Sequence, residues 1–151
     1  MDWNYSREES ERQSAIVGKH RVVITDAYET VTGEKSKNPG TPMIVVKLRP
    51  SGRSFSLTYR IQKNDWFNRK MTEFFDSFKE IPEGNFEFIE WIGCEGAAML
   101  KEGNSGYTEV AYLIDAVKAS DLPPFEGEKP ERQKVTSIAE TEEDEDLPFN
   151  V

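Results

Sequence analysis

The sequence predicts a mainly β fold: a five-stranded barrel with one α-helix between its third and fourth strands, flanked by flexible termini. Two observations carry that prediction. Residues 43–61, MIVVKLRPSGRSFSLTYRI, alternate apolar and polar side chains on either side of Pro50-Ser51-Gly52, the period-two pattern of a half-buried hairpin with a tight turn. Residues 64–78, NDWFNRKMTEFFDSF, instead repeat apolar residues at the spacing of one helix face.

In chain order, residues 1–15 are polar without sustained period and read as an extension that offers two rings, Trp3 and Tyr5, to the domain. The domain itself spans 16–118. Its first strand starts at Gly18 in GKHRVVITDAY, with Val22 and Ile24 on one side and Arg21, Val23 and Thr25 on the other. His20 reads as a strand-end surface residue, because no second histidine or cysteine pair exists to join it around a metal. Residues 32–41, TGEKSKNPGT, are turn formers with Lys35 and Lys37, a long, mobile, basic loop.

Within the hairpin, Ile44, Val46 and Leu48 share a face with Phe55, Leu57, Tyr59 and Ile61, while Lys47, Arg49, Arg60 and small hydroxyls take the other. One side is core and the other is a candidate binding surface. Antiparallel sheets carry such residues for solubility as well, so the hairpin alone does not decide between the two. The helix has Asn64 as its N-cap, Asp65 in its first turn and Phe67, Met71, Phe74, Phe75 and Phe78 on a core-facing stripe, and Pro82 closes the segment.

Residues 86–92 lead into a fourth strand, GCEGAAMLKEG, whose Gly93, Gly96, Ala97 and Ala98 predict a close backbone approach or sharp bend. A turn at 102–106 precedes the fifth strand, 107–116, with Val110, Tyr112 and Ile114 on one side. Three strands, a helix and two strands is the order of the OB-fold, a barrel that binds oligonucleotides on its second and third strands and the adjoining loops. Residues 119–151 contain Pro123, Pro124 and Pro130 and then six acids within 140–146, which predicts a disordered linker and acidic tail. Leu147-Pro148-Phe149 follows the acids as an apolar hook, a design suited to a pocket with basic walls.

A chain of 151 residues supports one core. No stretch approaches the roughly 20 apolar residues of a membrane span, and the N-terminus lacks the features of a signal peptide, so a cytoplasmic protein without a membrane partner is expected. Cys94 is the single cysteine, which excludes an internal disulfide and leaves a small buried hydrophobe as its role. The net charge is −9, yet residues 16–63 hold nine Lys or Arg against three acids. The excess of acid lies outside that half of the domain.

The HRVVI, GTPMIVVKL and WIGCEGAA strands, the LPPFEGEKPERQ segment and the EEDEDLPF tail resemble the single-stranded-DNA-binding proteins of bacteriophages and prophages. The resemblance covers most of residues 16–149, and the tail is its most specific part. It implies an OB-fold that coats single-stranded DNA during replication or recombination and recruits proteins of those processes through the tail residues Asp144, Glu145, Asp146, Leu147, Pro148 and Phe149. This chain continues through Asn150 and Val151, so Phe149 lacks the terminal carboxylate of that family.

Sequence-independent binding of a single strand requires cations along the phosphates and rings on which bases stack. Lys19, Arg21, Lys35, Lys37, Lys47, Arg49, Arg53 and Arg60 are the candidate cations, and Tyr59, Trp91, Tyr107 and Tyr112 the candidate rings. The rival reading is an OB-fold adaptor that binds protein and not nucleic acid. An enzyme is not expected, since no Cys-His pair, Gly-rich phosphate loop or His-carboxylate cluster is present, and no cofactor or metal is called for. One, two or four copies all remain open as the oligomeric state.

Overall fold

The computed structural model describes residues 3–13 and 15–133. Its elements are α1 (Arg7–Gln13), β1 (Gly18–Val31), β2 (Pro42–Pro50), β3 (Leu57–Gln62), α2 (Phe67–Ser77), α3 (Phe88–Trp91), β4 (Glu95–Glu102) and β5 (Thr108–Leu113). The strands form one antiparallel sheet in the order β3-β2-β1-β4-β5. Its edge strands β3 and β5 approach each other without a ladder between them. The molecule is thus a nearly closed, OB-fold-like barrel.

β1 makes the barrel possible by serving both halves of the sheet. Residues 18–23 pair with β4, residues 22–31 pair with β2, and the register slips between Ile24 and Asp26. A bulge of this kind bends the strand. Thr25, the extra residue, turns its hydroxyl to Ser56 Oγ at 3.0 Å. The strand is longer than the pattern suggested, running to Val31.

The alternation in 43–61 puts Ile44, Val46, Leu48, Phe55, Leu57, Tyr59 and Ile61 in the core, as their parity requires. The tight hairpin does not form. Arg53 N donates to Pro50 O at 3.1 Å around Gly52, whose φ of +74° suits glycine, but pairing with β2 resumes only at Leu57. Phe55 falls in this loop and is fully buried there, so its side chain plugs the core before the ladder starts.

α2 packs Met71, Phe74, Phe75 and Phe78 into the core against Trp91, with Phe74 4.6 Å from the Trp91 ring. Its start differs from expectation. Asn64 Oδ1 accepts from Trp66 N at 2.9 Å, a turn that precedes the helix, and no side chain caps Trp66, the residue at the cap position. The far end is fastened to the barrel by Ser77, whose Oγ donates to Ala97 O at 3.0 Å and accepts from Ala97 N at 3.1 Å. Gly96 answers the small-residue pattern of β4. A Cβ there would lie 2.7 Å from the Phe78 ring.

Cys94 is fully buried beside the start of β4, and burial pushes its thiol up to about 11. The rings of the N-terminal extension do not dock: Trp3 and Tyr5 are 86% and 78% exposed. Residues 119–133 also depart from expectation, because they make ordered hydrogen bonds across the barrel rather than beginning a disordered linker.

Candidate functional site

The seam between β3 and β5 opens into two adjoining cavities of about 730 and 270 Å³ that share Leu57, Thr58, Tyr107 and Thr108. Lys47, Arg60 and Lys70 reach this groove from β2, β3 and α2, and Ser105 and Tyr107 reach it from the β4–β5 turn. Thr58 and Arg60 lie on the wet face of β3, opposite in parity to Tyr59 and Ile61, so the strand's alternation aims them outward. Lys47 Nζ donates to Thr58 Oγ1 at 2.8 Å, which holds the ammonium over the strand. None of the three cations forms a salt bridge among the described residues, and Glu109 is the one carboxylate in the lining.

Tyr107 is 41% exposed and presents its ring to both cavities. Its hydroxyl donates to Glu9 Oε2 of α1 at 2.9 Å, so the N-terminal helix meets the groove at this ring. Tyr59, expected as a stacking platform, is 7% exposed and belongs to the core. Burial, with a smaller contribution from the Glu73 carboxylate, raises its phenol to about 12. Lys70 Nζ lies 5.3 Å from that ring's centroid. Lys70 was not among the expected cations, and helix periodicity alone could not have placed it beside a strand.

Two expected cations are engaged elsewhere. Arg21, Val23 and Arg49 share the outer face of β1 and β2 through the pair Val23 with Arg49, and residues 119–132 cross this face as a strap. Arg21 donates from Nε to Pro123 O at 2.8 Å and from Nη2 to the carbonyls of Ala119 and Leu122, both at 3.1 Å. Its Nη1 meets Glu95 Oε2 at 3.3 Å, and Lys129 Nζ takes the other Glu95 oxygen at 2.6 Å. Gly52 N donates to Glu126 O at 2.8 Å, and Glu126 N donates to Ser51 Oγ at 2.7 Å. The Arg49 guanidinium sits 6.0 Å from the Phe125 ring centroid with Nη2 buried. Arg21, satisfied in this way, is a fastening and not an open phosphate contact, whereas Arg49 Nη2 is buried without a hydrogen-bond partner among the described residues and is shut off from a phosphate by the strap.

The remaining residues scatter. Lys19 is exposed opposite Met99 on the strap side of the barrel, and Arg53 is exposed in the loop beside Gly52. Lys35 and Lys37 are exposed on the β1–β2 loop, which is stitched internally by Thr32 Oγ1 accepting from Thr41 N at 2.9 Å and Thr41 Oγ1 donating to Asn38 O at 2.7 Å. Trp91 is fully buried, donates from Nε1 to Asn85 O at 3.0 Å and offers no face to a base. Tyr112 is half-exposed but pairs with Met99 across a register slip in β4–β5, which separates it from the inward Val110. Asp144, Glu145, Asp146, Leu147, Pro148 and Phe149 lie outside the described residues.

A further cavity, of about 430 Å³, is apolar. Pro42, Met43, Ile44, Ile61, Phe67, Phe86 and Phe88 line it with Glu29 and Lys63, where the end of the β1–β2 ribbon meets the start of α2. Lys63 Nζ stands 4.3 Å from the Phe67 ring centroid. Among the described residues, no three His, Cys, Asp or Glu side chains gather as a metal ion would require, and no helix is long and apolar enough to cross a membrane. No protein-family model matches the chain, and no curated protein matches it. The barrel and its seam therefore carry the functional argument on their own chemistry.

Proposed function

We propose that the chain binds single-stranded DNA along the β3–β5 seam, largely without regard to sequence and without catalysis. The observation that supports this most is the meeting of Lys47, Arg60 and Lys70 with the exposed ring of Tyr107 along one groove. Three cations without a salt bridge among the described residues supply phosphate contacts, the hydroxyls of Ser56, Thr58 and Ser105 supply further donors, and one ring supplies a stacking surface worth roughly 1 to 3 kcal/mol per base. Arg21 and Arg49 drop out of the proposed set because the strap holds them. The setting that goes with this reading is replication or recombination of phage or prophage DNA in a bacterial cytoplasm, with the acidic tail recruiting partner proteins.

Anisotropy of a labelled oligo(dT), measured on the full chain at several salt concentrations beside a duplex of equal length, tests the proposal. Tryptophan quenching is a poor reporter, since Trp91 is buried and neither Trp3 nor Trp66 lines the seam. The expected result is a preference for the single strand, with log K falling against log salt at roughly 0.7 per phosphate contact. Preference for the duplex, or no binding at low salt, defeats the proposal in favour of the adaptor reading.

A further inference from the structure

The apolar cavity between the β1–β2 ribbon and α2 lies apart from the seam and shares no lining residue with it. We propose that its occupant is the chain's own hook, Leu147-Pro148-Phe149, seated as a short apolar peptide behind an acidic run. The inference does not depend on the nucleic-acid reading.

Three observations select this occupant. The lining is almost wholly hydrocarbon and ring, and about 430 Å³ falls within the range of cavities that bury small ligands. Apolar side chains are therefore what it takes. Lys63 belongs to the lining, and the loop bearing Lys35 and Lys37 ends at Pro42, another lining residue. The hook directly follows six acids, and the lining offers it one cation, Lys63, beside one acid, Glu29, with two more lysines on the adjoining loop. The attraction is one of charge order along the peptide.

The third observation is reach. The strap ends where Arg132 Nη1 meets Glu80 Oε2 at 3.7 Å, just beyond the C-terminal end of α2, and Phe67 at the other end of that helix lines the cavity. Eleven helical residues span about 15 Å. Thirteen residues separate Gln133 from Leu147, and a flexible linker of that number has a root-mean-square length of about 20 Å. A linker whose mean length matches its span gives the highest effective concentration of the tethered group. The strap's anchor and the number of residues beyond it suit this cavity.

The test compares methyl and amide NMR spectra of the full chain with those of a full-length Leu147→Ala, Phe149→Ala variant, both without nucleic acid. The substitutions change two side chains beyond the strap and none in the barrel. Shift changes should gather at Met43, Ile44, Ile61, Lys63 and Phe67 and should not vary on dilution. The same comparison made in a Lys63→Glu background should shrink them at least two-fold. Absence of changes at these residues overturns the proposal, as do changes at Thr58, Arg60 and Tyr107 instead. Changes that fade on dilution also overturn it, because the hook would then be exchanging between copies. Loss of oligonucleotide binding in the separate anisotropy experiment leaves this result standing.

Discussion

Arg21 meets Glu95 diagonally across the β1–β4 pair, at 3.3 Å, although its direct partner in the register is Ala97. Diagonal neighbours on a twisted sheet come within reach of long side chains. The pair is only about a fifth exposed, and three strap carbonyls complete the guanidinium's hydrogen bonds. A cation expected to meet phosphate is thereby committed to the fold.

That assignment separates two kinds of variant. Arg21→Ala should cost about 2 to 3 kcal/mol in denaturant unfolding, because it removes several charge-assisted bonds and leaves Glu95 to Lys129 alone, and it should expose residues 119–133 to protease. Its oligo(dT) affinity should change less than two-fold. Arg60→Ala and Lys70→Ala, at exposed positions, should do the reverse: stability within about 0.5 kcal/mol of the parent, with affinity reduced several-fold and the salt slope lowered. Equal loss of affinity from Arg21→Ala would return that residue to the binding set.

Two buried acids predict how stability depends on alkaline pH. Cys94 is raised from 9.0 to about 11, chiefly by burial, and Tyr59 from 10.0 to about 12, by burial and then by Glu73. Each neutral form is favoured in the folded chain, so the unfolded chain releases its proton first as pH rises. Their contribution is whole below pH 9 and is lost between pH 9 and 12, on the order of 2 to 3 kcal/mol for each group. Unfolding by urea at stepped pH should show a plateau followed by this decline. Cys94→Ala should flatten the part between 9 and 11, and Tyr59→Phe the part between 10 and 12.

The contact of Gly96 with Phe78 gives a packing test. Gly96→Ala should destabilise by about 1 to 3 kcal/mol through overpacking against the ring. Phe78→Leu removes part of that ring, and the double variant should be less destabilised than the sum of the two single changes. Additive losses would show that the methyl meets something else.

Deleting residues 140–151 should tighten oligo(dT) binding at low salt, since it removes six acids whose charge opposes the approach of phosphate to the chain. The gain should vanish by about 0.5 M salt, where screening leaves only a few ångströms of range. An unchanged affinity throughout the titration counts against any influence of the tail on the seam.

The core was legible because strand parity and helix period are local. Alternation assigned every inward residue of 43–61, and it had already put Tyr59 among them, so its place in the core was readable and its candidacy as a stacking ring ran against the same pattern. Trp91 was harder. The run FEFIEWIG fits a strand as well as the short α3 turn that buries it. Tyr112 was misplaced by a bulge, which reverses parity without a signal in the residues. The strap was invisible for a different reason: Arg21 and Pro123 lie 102 residues apart, and a Pro-rich, polar segment reads as disorder until its partner is known. Lys70 joins the seam only through the packing of α2, which no period reports.

The strap also moves the end of the folding unit. The last strand stops at Leu113, but a fragment cut there would leave Arg21 without its covering carbonyls, Glu95 without Lys129, and Val23, fully buried in the intact chain, bare to water. A reporter or affinity handle joined directly after that strand would lead to aggregation, whereas one joined after Gln133 would keep the barrel's outer layer whole.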